Sequence, residues 1–351
     1  MRHWLGAIAL TACGSTSQTP ALAPVSSPAA PASAPVYATS KLALPGGDAD
    51  GVGMDYLLYN PRTNSVWVPA GNSGAVDVVD VASGKLTRVE GFPVREMERR
   101  GKKRVVGPSS ATLGAPGTVY VGNRADSSVC AVDEVRLAKQ SCGTLDSMPD
   151  GIAFVSSTQE VWVTTPRDKS IRILDAATLV QKAKLDFEGE PEGFAPAPSR
   201  GLFYTNLEDK DVTLAIDVAS HKTVATWKSG CGEQGPHGLR LDDADGLLLV
   251  ACSTRVEAMD IAHDGAIRGS VDTGDGVDDF DFSPTAHAIY VGAARAGRLV
   301  IASLDAHGAL APLATVPTAE GARNGVVTAD GRVYLAHGKA SELIVIATPY
   351  K

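Results

Sequence analysis

The chain has 351 residues, among them 36 Gly and 21 Pro, and 40 acidic against 32 basic residues give a net charge of −8. Its apolar fraction of 44% supports a substantial core and excludes wholesale disorder, and no apolar run reaches the roughly 18–20 residues of a membrane-spanning helix. The acidic balance argues against a general polyanion binder, which carries a basic surface excess.

Residues 1–12 read as a signal segment. Arg2 and His3 open it, Trp4 to Leu10 is a short apolar run, and Leu10-Thr11-Ala12 precedes Cys13. This resembles the bacterial lipoprotein signal. The resemblance implies a diacylglycerol on Cys13, export, and a lipid anchor on the periplasmic face of a membrane, the outer membrane foremost. The alternative is a chance Cys in an ordinary signal peptide, and the shortness of the apolar run leaves the start codon open. Residues 13–36 then read as a tether, since Ser, Thr, Ala, Pro and Gln dominate and little bulky apolar surface is present to bury.

Residues 37–351 repeat one pattern. Apolar triplets recur at Val66-Trp67-Val68, Val119-Tyr120-Val121, Val161-Trp162-Val163, Leu202-Phe203-Tyr204, Leu248-Leu249-Val250, Ile289-Tyr290-Val291 and Val333-Tyr334-Leu335, their centres 53, 42, 41, 46, 41 and 44 residues apart. A turn such as Pro149-Asp150-Gly151, Pro191-Glu192-Gly193 or Pro236-His237-Gly238 precedes many of them. An alternating strand follows, ending in Asp80, Asp133, Asp175, Asp217 and Asp260 in the first five copies but not in the last two. A period of about 40–45 residues built from short strands predicts an all-β, seven-bladed β-propeller with four-stranded antiparallel blades. The central aromatic residues are expected in the core between blades. The chain ends soon after the third strand of the seventh copy, so residues 37–44 are expected to pair beside Leu343–Ala347, closing the ring and covering an open edge.

The segments Val-Tyr-Val-Gly-Asn (119–123) and Ser-Val-Cys-Ala-Val-Asp (128–133), with the Pro-x-Gly turns, resemble the YVTN repeat, and residues 37–350 resemble the YncE-like family of exported propellers. That resemblance implies a binding or scaffold role in the cell envelope. Some related propellers are lactonases, and a DNA-binding role has been proposed within the family. The pattern departs from the repeat in the last two copies and in an insertion before the second.

In a propeller, the loops entering the innermost strands and those joining second to third strands share one face around a central funnel. Aligning the copies puts Gly53, Ser109, Asp150, Glu192, His237, Asp278 and Asn324 on one ring, with Asp279 beside it. Arg124, Arg167, Arg255, Arg295 and His337 lie in the second set of loops. The face reads as a ligand site. Asp150, Glu192, His237 and Asp278 are the candidate ligands of a divalent cation, calcium or magnesium by their oxygens. The plainer reading gives the same carboxylates to turn chemistry.

The layout favours the pairs Cys130–Cys142, across adjacent strands of the second blade, and Cys231–Cys252, in the fifth, with four free thiols as the alternative. The insertion at residues 95–104, Arg-Glu-Met-Glu-Arg-Arg-Gly-Lys-Lys-Arg, is the one basic cluster, a solvated hairpin or a phosphate contact. No Gly-x-Ser-x-Gly elbow and no P-loop is present. The leading expectation is a monomeric binding propeller for a small molecule or envelope protein, touching the membrane through its lipid alone. A metal-dependent, lactonase-like hydrolase is the enzymatic alternative, and nucleic acid, disfavoured by the charge, is the third.

Overall fold

Among the described residues no helix is longer than a single three-residue turn, so the short apolar strands must cover one another. The computed structural model describes residues 37–99 and 101–351, together with Met1, His3, Trp4, Gly6, Ala7, Ala9 and Leu10. Cys13 and the tether at residues 13–36 lie outside the described residues. Seven antiparallel four-stranded blades form the propeller. Their innermost strands begin at Leu58, Pro108, Ile152, Pro191, Pro236, Phe280 and Arg323, and each touches the innermost strand of the next, the seventh meeting the first.

The apolar triplets are the middle of each second strand. Neighbouring blades cover both faces of that strand, which is why it reads as a continuous apolar run rather than an alternation. Ser65–Ala70 and Glu160–Thr165 are buried at every position, whereas the outermost strand Gln181–Asp186 alternates between exposed and partly buried. The triplet centres Trp67, Tyr120, Trp162, Phe203, Leu249, Tyr290 and Tyr334 are all buried between blades. Trp162 lies 4.6 Å from the Phe203 ring of the next blade, and its indole N–H donates to Glu160 Oε2 at 3.1 Å.

The recurrent Asp at the end of the third strand is a turn device. Asp80, Asp133, Asp175 and Asp217 accept backbone N–H bonds from Ser83, Arg136, Thr178 and Ser220. Bonds from these same four residues hold the carboxyls below the usual carboxylate range. In the sixth blade, which lacks the Asp in register, Asp305 takes the role and accepts from the His307 and Ala309 N–H groups.

Ring closure follows the expected route. Thr39–Ala43 pairs antiparallel with Glu342–Ala347, with Leu42 opposite Leu343, and becomes the outer strand of the seventh blade. Leu44 then enters the core beside Val52, Tyr334 and Leu343, and its N–H donates to Ser341 O at 2.7 Å. Both expected disulfides are present: Cys130 and Cys142 are directly opposed on adjacent strands, and Cys231 bridges to Cys252.

Removal of residues 1–44 strips the closing strand and the buried Leu44. A cost of about 4–8 kcal/mol is expected from lost ladder hydrogen bonds and one vacated core site. Chemical denaturation of the truncated protein measures it, and an unchanged midpoint relative to the full chain contradicts the closure.

Candidate functional site at the funnel mouth

In the third, fourth and fifth blades the innermost strand opens on Pro-x-Gly, and the middle residue lines the central cavity. The glycine after it is dictated by crowding: a Cβ on Gly193 would lie 2.0 Å from the His237 carbonyl oxygen of the adjoining blade. Close approach of neighbouring blades thus requires glycine at Gly151, Gly193 and Gly238 and brings the ring residues of the blades together. They border a cavity of about 1130 Å³.

Of the ring expected from the sequence, Gly53, Ser109, Asp150, Glu192, His237 and Asp278 line this cavity. Asn324 sits just behind, donating through Nδ2 to Asp278 Oδ2 at 2.7 Å and to Asp55 Oδ1 at 3.1 Å. Asp279 is buried off the cavity, where Arg240 binds it at 2.8 Å. Arg124, Arg167 and Arg295 reach the cavity wall. Arg255 does not, because it is drawn to Glu257 at 2.6 Å and to the Gly230 carbonyl. His337 is likewise turned aside, its Nδ1 2.9 Å from Glu342.

Four participants escaped the alignment. Asp55 and Tyr56 lie just beyond the ring position of the first blade. Glu208 lies in the same kind of second-to-third-strand loop as Arg124, where attention to basic residues passed over an acid. Arg323 directly precedes Asn324 and binds Asp278 at 3.1 Å.

Charge is unevenly neutralised around the mouth. Arg124 binds both Asp55, at 2.6 Å, and Asp150. Burial alone would lower the Arg124 pKa, but those two carboxylates hold it above the ordinary value. Burial raises the Asp150 carboxyl, which Arg124 opposes and Asp55 reinforces. Burial also lifts the Tyr56 hydroxyl, with Asp150 and Glu192 adding to the effect; its oxygen is 3.5 Å from Asp150 Oδ2.

Glu192 is different. Burial pushes its carboxyl well above the usual range, and a hydrogen bond with Glu208 together with the charges of Glu208, Asp150 and Asp278 pushes it further. Each of these influences favours the protonated form. His237 stands beside them with Nδ1 3.3 Å from Glu208 Oε1 and Nε2 3.1 Å from Ser253 Oγ. One potential ligand atom from each of Glu192, His237 and Asp278 falls within 4.8 Å of the others. Asp150, the fourth residue expected as a ligand, is outside this cluster and engaged with Arg124. Two carboxyls and an imidazole at that spacing are a donor set that could hold a cation, and a carboxyl with a raised pKa is suited to exchanging a proton.

No family model and no curated protein matches the chain. Solved structures match its fold: a chain of the mitotic checkpoint complex (16% identity, TM-score 0.70, covering 89% of this chain and 94% of that one), the Kuenenia stuttgartiensis hydrazine synthase (15%, 0.69, 87% and 97%) and a streptogramin B lyase (13%, 0.69, 88% and 97%). At such identities the likeness is one of fold, the seven-bladed propeller.

The raised Glu192 pKa has a definite sign in stability. Below about pH 4 the carboxyl is neutral in folded and unfolded chains alike. As pH rises, the unfolded chain ionises first while the fold retains its proton, so stability falls until the folded group also ionises. In metal-free buffer, Glu192→Gln should melt above wild type by a few degrees at neutral pH, the gap closing below about pH 4. Thermal melts across this range test it, and a variant that melts lower at pH 7 contradicts the repulsion.

Proposed function

We propose that this protein is an exported, YncE-like binding propeller, tethered through Cys13, whose funnel takes a divalent cation on Glu192, His237 and Asp278. The carrying observation is the cluster itself: Glu192, His237 and Asp278 each bring one ligand atom within 4.8 Å of the others, and burial, Glu208 and Asp278 raise the Glu192 carboxyl, which a cation would lower again. Carboxylate oxygens suit calcium or magnesium, and the imidazole widens the range to manganese or zinc. Propellers are a general binding architecture, and the size of the cavity leaves room for a small molecule beside the ion.

A second reading rests on the same carboxyl. In it the ion would be held by His237 and Asp278 alone, leaving Glu192 beside it to move a proton while the ion polarises a carbonyl or a bound water, which is the equipment of metal-assisted hydrolysis. That a streptogramin B lyase shares the fold is compatible with catalysis on this architecture. Turnover of a lactone or ester panel that chelator abolishes and metal restores favours this reading over binding alone.

Titration of calcium, magnesium, manganese and zinc into chelator-treated protein should raise the melting temperature with at least one ion. The gain is about 2.7 kcal/mol when the ion is present at a hundred times its dissociation constant. The triple variant Glu192→Gln, His237→Ala, Asp278→Asn should show no such shift. An identical shift in the variant removes the funnel as the cation site. Fatty-acid labelling of cells that make the protein should mark it, and Cys13→Ala should erase the mark; a persisting label refutes the tether.

A further inference from the structure

The basic insertion folds as an antiparallel hairpin, Arg95–Arg99 against Lys102–Val106, pairing Arg95 with Val106, Met97 with Arg104 and Glu98 with Lys103. Directly opposed residues share a face, and successive residues alternate. One face therefore carries Arg95, Met97, Lys102, Arg104 and Val106. The other carries Glu96, Glu98, Lys103 and Val105, and there Lys103 Nζ meets Glu96 Oε1 at 2.8 Å. The pleat thus leaves the first face without an acid.

Met97, Lys102 and Arg104, all of the first face, line the funnel cavity. Among the described residues no carboxylate lies within ion-pair distance of Lys102 or Arg104, although Lys103, their neighbour, is paired. The base of the hairpin is pinned to the rim. The Phe92 N–H donates to Gly74 O at 3.1 Å, and the Arg124 N–H donates to Gly107 O at 2.9 Å. Gly107 itself sits so near blade one that a Cβ would be 2.0 Å from Gly71 O. The second hairpin strand then runs directly into Ser109. That residue lines the same cavity, is only 5% exposed, and has a hydroxyl without a hydrogen-bond partner. A buried hydroxyl left unsatisfied is costly, and a ligand oxygen satisfies it.

We propose that Lys102, Arg104 and the Ser109 hydroxyl form an anion subsite, so that the funnel's ligand is a small oxyanion, carboxylate or phosphate, taken up beside the divalent cation. Lys supplies a point charge, Arg a planar fork and Ser a short donor, a combination matched to an oxyanion. The cation half of this ligand rests on the reading of Glu192, His237 and Asp278 given above; the anion half rests on the hairpin and Ser109 alone.

The experiment is calorimetric titration of malonate and of inorganic phosphate into the full-length protein, with and without magnesium or calcium. At least one of the two anions should bind, and which one does separates a carboxylate ligand from a phosphate. Lys102→Ala with Arg104→Ala should weaken it about tenfold or more, and Ser109→Ala should weaken it several-fold. Lys102→Ala alone should weaken it several-fold, and Lys103→Ala, the same single charge change on the opposite face, should leave binding unaltered. The hairpin variants lie outside the blades and should keep the wild-type melting temperature and the cation-induced shift. Oxyanion binding that persists in the Glu192, His237, Asp278 triple variant and still depends on Lys102 supports the subsite even where the cation reading fails. The proposal is overturned if neither oxyanion binds, if Lys103→Ala weakens binding as much as Lys102→Ala, or if a short oligonucleotide binds while both small anions are silent.

Discussion

Seven innermost strands can meet around one axis only if the ring is closed, and closure here is a matter of hydrogen bonding between the two ends of the propeller. Thr39–Ala43 supplies the strand that the seventh blade lacks. Without it the last blade presents an open edge and its neighbour loses part of its cover. Once the ring is complete, every loop that enters an innermost strand is forced to the same mouth. The residues that follow the prolines therefore become neighbours although about forty residues separate them in sequence.

That convergence has an electrostatic cost, which the fold offsets by ion pairs between blades. Arg124 joins the Asp55 segment to the Asp150 turn, Arg323 reaches Asp278 from the seventh blade, and Arg240 of the fifth blade holds Asp279 and Asp281 of the sixth. Partly buried pairs of this kind return little net stability against their desolvation, but each removes a repulsion that convergence created. Between the fourth and fifth blades this pattern changes. There Glu192 and Glu208 meet beside the His237 imidazole, and burial together with Glu208 raises the Glu192 carboxyl.

The blade count, the closing strand and both disulfides were legible because they follow from period, alternation and strand adjacency, all of which are local pattern. The ring residues were legible for the same reason: one turn per copy gives one residue per blade. Side-chain direction was not. Arg255 and His337 occupy the expected loops, yet Glu257 and Glu342 capture them, and no repeat alignment contains that choice. Glu208 was missed because its loop position was read for bases. The hairpin was read by composition, as a basic run diluted by Glu96 and Glu98, whereas its register puts both acids on the face opposite Arg95, Lys102 and Arg104.

The acidic sector also differs from its surroundings in how firmly it is held. Ser253, which contacts the His237 ring, follows Cys252 directly, and Cys252 is bonded to Cys231 in the loop that leads to His237. The Cys231 N–H in turn donates to Asp211, just after the helical turn that begins with Glu208. The imidazole and one acid are thus anchored to a single covalently braced unit, while Glu192 is set by the strand whose Gly193 packs on the His237 carbonyl. Groups fixed in this way have little freedom to relax away from mutual repulsion. On the proposed reading, a cation would meet its ligands already in place, which is the sense in which a site is preorganised.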